Sequence, residues 1–168
     1  MIIEPIALAS PAIRIHTLAA LLALVLGTIV LFMPKGTHVH KLLGRVWLAT
    51  MAVTALSSLL ITEARMFGPF SWIHGLSVFT LIMLVYGLVQ ARRGNIVAHR
   101  STMISLYAFA LVLTGAFTLL PGRRMNAVLF ADGGKSAALF ALGVGVVLLL
   151  AFWARYHHRS SRRLIRSR

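Results

Sequence analysis

The run AIRIHTLAALLALVLGTIVLFM at residues 12–33 decides the fold. Its only charge is Arg14, close to its start, and Pro34-Lys35-Gly36 stops it. At about 1.5 Å of helical rise per residue, a run of this length crosses a hydrocarbon core of roughly 30 Å. Four further apolar runs follow, at about Lys41–Ile61, Phe70–Ala91, His99–Leu120 and Lys135–Trp153. They are separated by Glu63, Arg65, Gly68 and Pro69, by Arg92-Arg93-Gly94-Asn95, and by Pro121-Gly122-Arg123-Arg124. The expectation is an all-α integral membrane protein with five transmembrane helices. Short connections make the first four an antiparallel bundle.

Composition agrees. Of 168 residues, 59% are hydrophobic and 12% charged, and the mean hydropathy is +0.88. A soluble core of this size cannot absorb so much apolar surface. Glu4 and Pro5 stand where a cleavable signal peptide has a basic segment, so the first span is expected to be retained. No cysteine is present, which excludes disulfides, thiolate-bound iron–sulfur clusters and covalent haem attachment through C-x-x-C-H.

The net charge of +14 would fit a nucleic-acid binder, but topology accounts for it. Lys35, Lys41, Arg45, Arg92, Arg93, Arg100, Arg155, Arg159, Arg162, Arg163, Arg166 and Arg168 fall on one side of a five-span arrangement. Arg14, Arg65, Arg123, Arg124 and Lys135 fall on the other, with all three acids, Glu4, Glu63 and Asp132. The positive-inside rule then sets the N-terminus out and the C-terminus in. Residues 1–156 read as a single membrane domain, and 157–168 as a basic cytoplasmic tail on anionic lipid headgroups. The location expected is the inner (cytoplasmic) membrane of a bacterium, with no nucleic-acid partner.

Ala19, Ala23 and Gly27 form a small-residue ridge on the first span, and Ala141 and Gly145 a shorter one on the fifth. Such ridges let backbones approach closely, and the first would also leave room for a flat cofactor beside it. Trp47, Trp72, Trp153 and Tyr156 fall near span ends and read as aromatic-belt anchors. Two halves, Ala12–Ile61 and Phe70–Leu120, echo one another as parallel repeats, each opening an odd span with Ile-His and an even span with a basic segment carrying histidine.

That echo places one histidine on each of the first four spans. His16 and His74 fall near the outer ends, His40 and His99 near the inner ends. Histidine at membrane depth usually has a task. In a four-helix arrangement the first and third helices are diagonal, as are the second and fourth. Each diagonal pair can then hold one haem b iron between two imidazoles, with the two sites separated by up to about 27 Å of helix. Lys41, Arg45, Arg93 and Arg100 are candidate propionate partners at the inner face, and Arg14 and Arg65 at the outer. His38 reads as a loop residue, and His157 and His158 as headgroup-level residues. The rival reading for all four candidates is interfacial, since helix ends are wet and histidine caps them.

Other chemistry is thinly represented. The three acids lie outside the spans, so no nucleophile–base–acid set and no intramembrane proton carrier is apparent, and no H-E-x-x-H or phosphate loop occurs. The methionines are scattered, as fits core or lipid filling.

The segments His40-Lys41-x-x-Gly44-Arg45, Arg93-Gly94-Asn95-x-x-x-His99-Arg100 and Phe117-Thr118-Leu119-Leu120-Pro121-Gly122-Arg123 resemble a bacterial family of predicted membrane proteins of unknown function. That likeness covers the first two-thirds to four-fifths of the chain and implies a fold with little chemistry. In layout alone, the chain resembles the ascorbate-reducible transmembrane di-haem cytochromes b. This similarity implies His16 with His74 at an outer haem and His40 with His99 at an inner one. A weaker likeness is to small multi-span factors that assist haem–copper oxidase assembly. Two functions follow as expectations. One is transmembrane electron transfer through one or two haems b, to quinone or a redox partner protein, with or without enzymatic turnover. The other is a non-catalytic accessory or assembly subunit of a larger membrane complex. A small-molecule transporter ranks third.

Overall fold

The computed structural model describes residues 4–61 and 71–130, together with isolated positions at 139, 143, 145 and 146. After a short α1 (Glu4–Ala7) come α2 (Pro11–Phe32), α3 (His38–Leu59) and α4 (Trp72–Arg92). The fourth long helix starts as α5 (Ile96–Ser105), passes through a π-helix (Leu106–Leu113) and ends as α6 (Thr114–Phe117); α7 (Arg124–Leu129) follows. No strand occurs among the described residues. Four helices are long and apolar enough to span a membrane: Pro11–Phe32, His38–Leu59, Trp72–Arg92 and Ile96–Phe117. Apart from those isolated positions, the expected fifth span lies outside the described residues, as do Ala141 of its small-residue pair, Trp153, Tyr156, His157, His158, the basic tail, Glu63 and Arg65.

Two of the helix starts lie earlier than the hydropathy suggests, for a local reason. The second span begins at His38, not Lys41, because Thr37 caps it and its hydroxyl accepts from the backbone N–H of His40 at 3.1 Å. His38 is therefore helical rather than in a loop. The fourth begins at Ile96, where the Asn95 side chain accepts from the N–H of Ala98 at 3.2 Å. Each cap follows a glycine in the left-handed region, Gly36 at φ 81° and Gly94 at φ 76°, a conformation that costs other residues energy. The matching turn–cap–histidine order is the structural form of the repeat seen in the sequence.

Polarity is inverted relative to a soluble bundle. Leu18 is 69% exposed, Val85 63% and Phe32 78%, whereas Ser57, Ser58, Ser77, Thr80 and Thr102 are buried. Apolar side chains facing outward have lipid as their solvent, and small hydroxyl residues line the helix contacts, bonding to their own helix backbone. The protein is a membrane protein.

Residues 3–112 form one compact unit. In it α2 packs on α3, α3 on α4, and α4 on α5. Tyr107, in the π-helix, closes the ring by a 2.6 Å hydrogen bond to the Thr28 hydroxyl on α2. The core holds Ala23, Trp47, Met51, Leu84, Leu106 and Leu111. Trp47 is the clearest departure from the sequence reading. It is no belt anchor: it is 3% exposed, and its indole N–H donates to the carbonyl of Ala23 at 3.0 Å. The small-residue ridge admits it. A Cβ on Gly27 would lie 2.6 Å from Trp47 Nε1 and 2.6 Å from Tyr107 Cδ2. The room beside the ridge is thus filled by the protein's own two aromatic rings, not left for a flat cofactor. Trp72, at the start of α4, is 73% exposed.

Replacing Trp47 with phenylalanine removes the bond to Ala23 and leaves a gap. The expected loss is on the order of 1–3 kcal/mol, read as a lower unfolding midpoint in detergent. An unchanged midpoint would show that the indole is not part of the packed core.

Residues 113–130 belong to a second unit. There Gly122 turns the chain at φ 82°. The buried Asn126 side chain donates to the carbonyl of Leu119 at 2.7 Å, holding α7 to the preceding turn.

Candidate functional site

The four histidines occupy the helix ends the sequence assigns, and their rings meet three different surroundings. His16, in the second turn of α2, has Nδ1 2.9 Å from the carbonyl of Thr54 on α3, with the Ser57 hydroxyl at 3.4 Å. A carbonyl only accepts, so Nδ1 carries the hydrogen and the neutral ring has its lone pair on Nε2. His99, in the first turn of α5, repeats the arrangement: Nδ1 donates to the carbonyl of Gly87 on α4 at 2.9 Å. Gly87 is tightly packed, since a Cβ there would collide with the end of Met103 and lie 3.1 Å from Thr102 Cγ2. Both rings therefore have the backbone-anchored Nδ1–H that orients metal-bound imidazoles.

His74 differs. It is buried in the first turn of α4, and its Nδ1 accepts from the backbone N–H of Ser71 at 3.1 Å. The neutral ring then carries its hydrogen on Nε2. This is a capping box built on Ser71-Trp72-Ile73-His74, with histidine where glutamate or glutamine usually stands. The Ser-x-x-His spacing was the sequence signal for it.

His40, in the first turn of α3, differs again. Its Nδ1 is buried and has no hydrogen-bond partner among the described residues. Its ring lies within electrostatic reach of His99 and Lys35. The second and fourth long helices thus bring one histidine each to a shared end of the bundle. Among the described residues no group of three or more histidine, cysteine or acidic side chains stands close enough together to hold a metal ion.

Around this end stand Lys41, Arg45, Arg93 and Arg100, all solvent- or headgroup-exposed. Lys35 was not singled out by sequence. Its ammonium closes the C-terminus of α2, donating to the carbonyls of Val30, Leu31 and Met33 at 2.8, 2.6 and 2.9 Å. Its pKa is held below the usual lysine value, first by partial burial and then by the nearby positive charge of Arg100. Arg14, at the opposite end, is also exposed.

No curated protein and no solved structure matches the chain. A family match, however, runs through residues 13–154, from the first turns of α2 past the last described helix. That range takes in all four histidines and the basic residues beside them. The chain belongs to the DUF2306 family of predicted membrane proteins, whose function is unknown.

Proposed function

We propose that this protein is a haem b electron carrier of the bacterial inner membrane, with the iron held between His40 and His99 at the cytoplasmic end. The observation that carries the reading is the buried, unpartnered Nδ1 of His40 beside a His99 ring whose tautomer is already set. A buried ring nitrogen without a partner costs free energy until a donor or a metal satisfies it. The two histidines come from alternate helices of the ring, as a ligand pair must to grip a flat group from both sides.

The fit of the four residues is unequal. His99 offers an Nε2 lone pair and an anchored Nδ1–H. His40 offers an unsatisfied nitrogen. His16 offers a lone pair, but His74 would have to surrender its cap to offer one. The geometry therefore supports one haem at the His40–His99 end over two. Lys41, Arg45, Arg93 and Arg100 supply cations for its carboxylates. Bound there, haem would supply one-electron chemistry at iron, and the chain's part is to hold and tune it and to exclude water. The donor and acceptor are a redox partner protein or a membrane quinone. The excess of basic residues at this end sets it in the cytoplasm, with the N-terminus outside, and a fifth span then brings the basic tail to the same side.

A second reading has its own support. The cap on His74 and the cross-helix bond of His16 are structural uses of histidine, as expected of a non-catalytic accessory or assembly subunit. Haem stoichiometry in purified wild type and two variants separates the two. The carrier reading expects about one haem per chain, full retention in His74→Ala, and loss in His40→Ala. In His74→Ala the missing cap should cost about 1 kcal/mol of stability. Equal haem loss in both variants would contradict the single-site assignment, and no haem in folded wild type would favour the accessory subunit.

A further inference from the structure

We propose that His16, Ser57 and Ser77 form a binding site for the head group of a membrane quinol, at the end of the bundle opposite His40 and His99. The register of three helices carries it. Ala23, Met51 and Leu84 pack in one core cluster and so share a level. Seven residues along each helix, away from the His40 end, stand His16 on α2, Ser58 on α3 and Ser77 on α4. Each step stays inside its helix. Two turns, about 10 Å, return to the same helix face, so the apolar core gives way to a polar layer in the same interior. The bond from His16 to the Thr54 carbonyl at 2.9 Å, with the Ser57 hydroxyl at 3.4 Å, joins α2 and α3 directly at that level. Ser57, Ser58 and Ser77 are buried.

The hydrogens of these groups are spent on backbone. The Ser57 hydroxyl donates to the carbonyl of Val53 at 2.7 Å, and that of Ser77 to Ile73 at 2.8 Å. The Nδ1–H of His16 goes to Thr54, whose own hydroxyl donates to Thr50 at 2.9 Å. What they hold toward a ligand is lone pairs, on the two serine oxygens and on Nε2 of the half-buried His16 ring. Such a site favours a ligand that donates. An ammonium would donate too, but residues 5–62 and 64–131 contain no acid, and the exposed Arg14 stands two residues from His16. The ligand is therefore neutral. Ile15 and Leu18, beside His16, are exposed where the chain meets lipid, so it arrives through the bilayer and is apolar apart from its hydroxyls. A hydroquinone ring meets all three conditions. The oxidised quinone, with acceptor oxygens only, does not. This inference rests on the electron-carrier reading for its purpose, although binding at this end requires no haem.

The test is anaerobic calorimetric titration of the purified full-length protein in detergent with decylubiquinol and with decylubiquinone. Wild type is expected to bind the quinol about tenfold more tightly, the worth of one hydrogen bond. His16→Phe, which keeps a ring but no lone pair, should lose that preference. Ser77→Ala should weaken quinol binding severalfold, and it decides the matter if thermal unfolding shows His16→Phe to be misfolded. His40→Ala, which empties the proposed haem site, should bind quinol as wild type does. Equal affinity of wild type for the two forms, or undiminished quinol affinity in folded His16→Phe or in Ser77→Ala, would overturn the proposal. Loss of quinol binding in folded His40→Ala would also overturn it, by placing the ligand at the other end. So would displacement by dioctanoylglycerol, which would show a site for any lipid hydroxyl. A colourless wild type that prefers the quinol would keep this site and remove the haem.

Discussion

Replacing His99 with alanine is expected to abolish haem binding while leaving the bundle folded. The Nδ1–H of the side chain is tied to the carbonyl of Gly87 at 2.9 Å, and its Nε2 is the atom that would coordinate iron in the proposed site. If His40 and His99 hold the haem as proposed, losing one of the two imidazoles would leave the other to hold the group alone, with much lower affinity. Glutamine is the instructive companion, since its amide can replace the bond to Gly87 but is a poor ligand for haem iron. The expected order of retained haem is therefore wild type far above His99→Gln, with His99→Gln close to His99→Ala. Full retention in His99→Gln would show that the histidine acts as a helix tie and not as a ligand. The Gly87 carbonyl loses a partner in the alanine variant, which should cost about 1 kcal/mol of stability. That is too little to unfold the bundle and confuse the readout.

The second large effect concerns packing. Gly27→Leu should be the most destabilising single change in the described core. Even a methyl group there meets Trp47 Nε1 and Tyr107 Cδ2 at 2.6 Å, and the two rings press on the same position from different helices. Neither can retreat cheaply. Trp47 is bonded to Ala23 and packed against Met51 in the core cluster, and Tyr107 is bonded to Thr28. Overpacking a tight site typically costs about 1–3 kcal/mol, and two obstructing rings favour the upper end or beyond. The expectation is a strongly lowered unfolding midpoint and poor recovery from detergent. Gly44→Leu is the control, because nothing lies within 4 Å of a Cβ there. Similar behaviour of the two variants would mean that the ridge does not bring the helices together as described.

These two predictions also show what the sequence could and could not disclose. The spans at α2 to α5 were legible because a run of about 20 apolar residues has few other stable fates. The ridge Ala19–Ala23–Gly27 was legible as a contact, but its occupant was not. Trp47 stands six residues from Lys41, so its distance from the charged end suggested a belt anchor. Its burial becomes visible only in the series Trp47, Met51 and Ala55, which lies on one face of α3 and is buried throughout. The histidines were legible as helix-end residues at two depths. Their tautomers were not, because these are set by backbone carbonyls from neighbouring helices: Thr54 for His16 and Gly87 for His99. The capping role of His74 was readable from the Ser71-x-x-His74 spacing alone. The π-helix at Leu106–Leu113 left no signal in hydropathy, since the run Leu-Tyr-Ala-Phe-Ala-Leu-Val-Leu is apolar whichever helix type it forms.

The visible absorption spectrum of the purified full-length chain, recorded before and after dithionite, tests the central claim most directly. Iron clasped by His40 and His99 predicts a coloured protein with a sharp alpha band on reduction. A folded preparation that remains colourless after expression with abundant haem would contradict it.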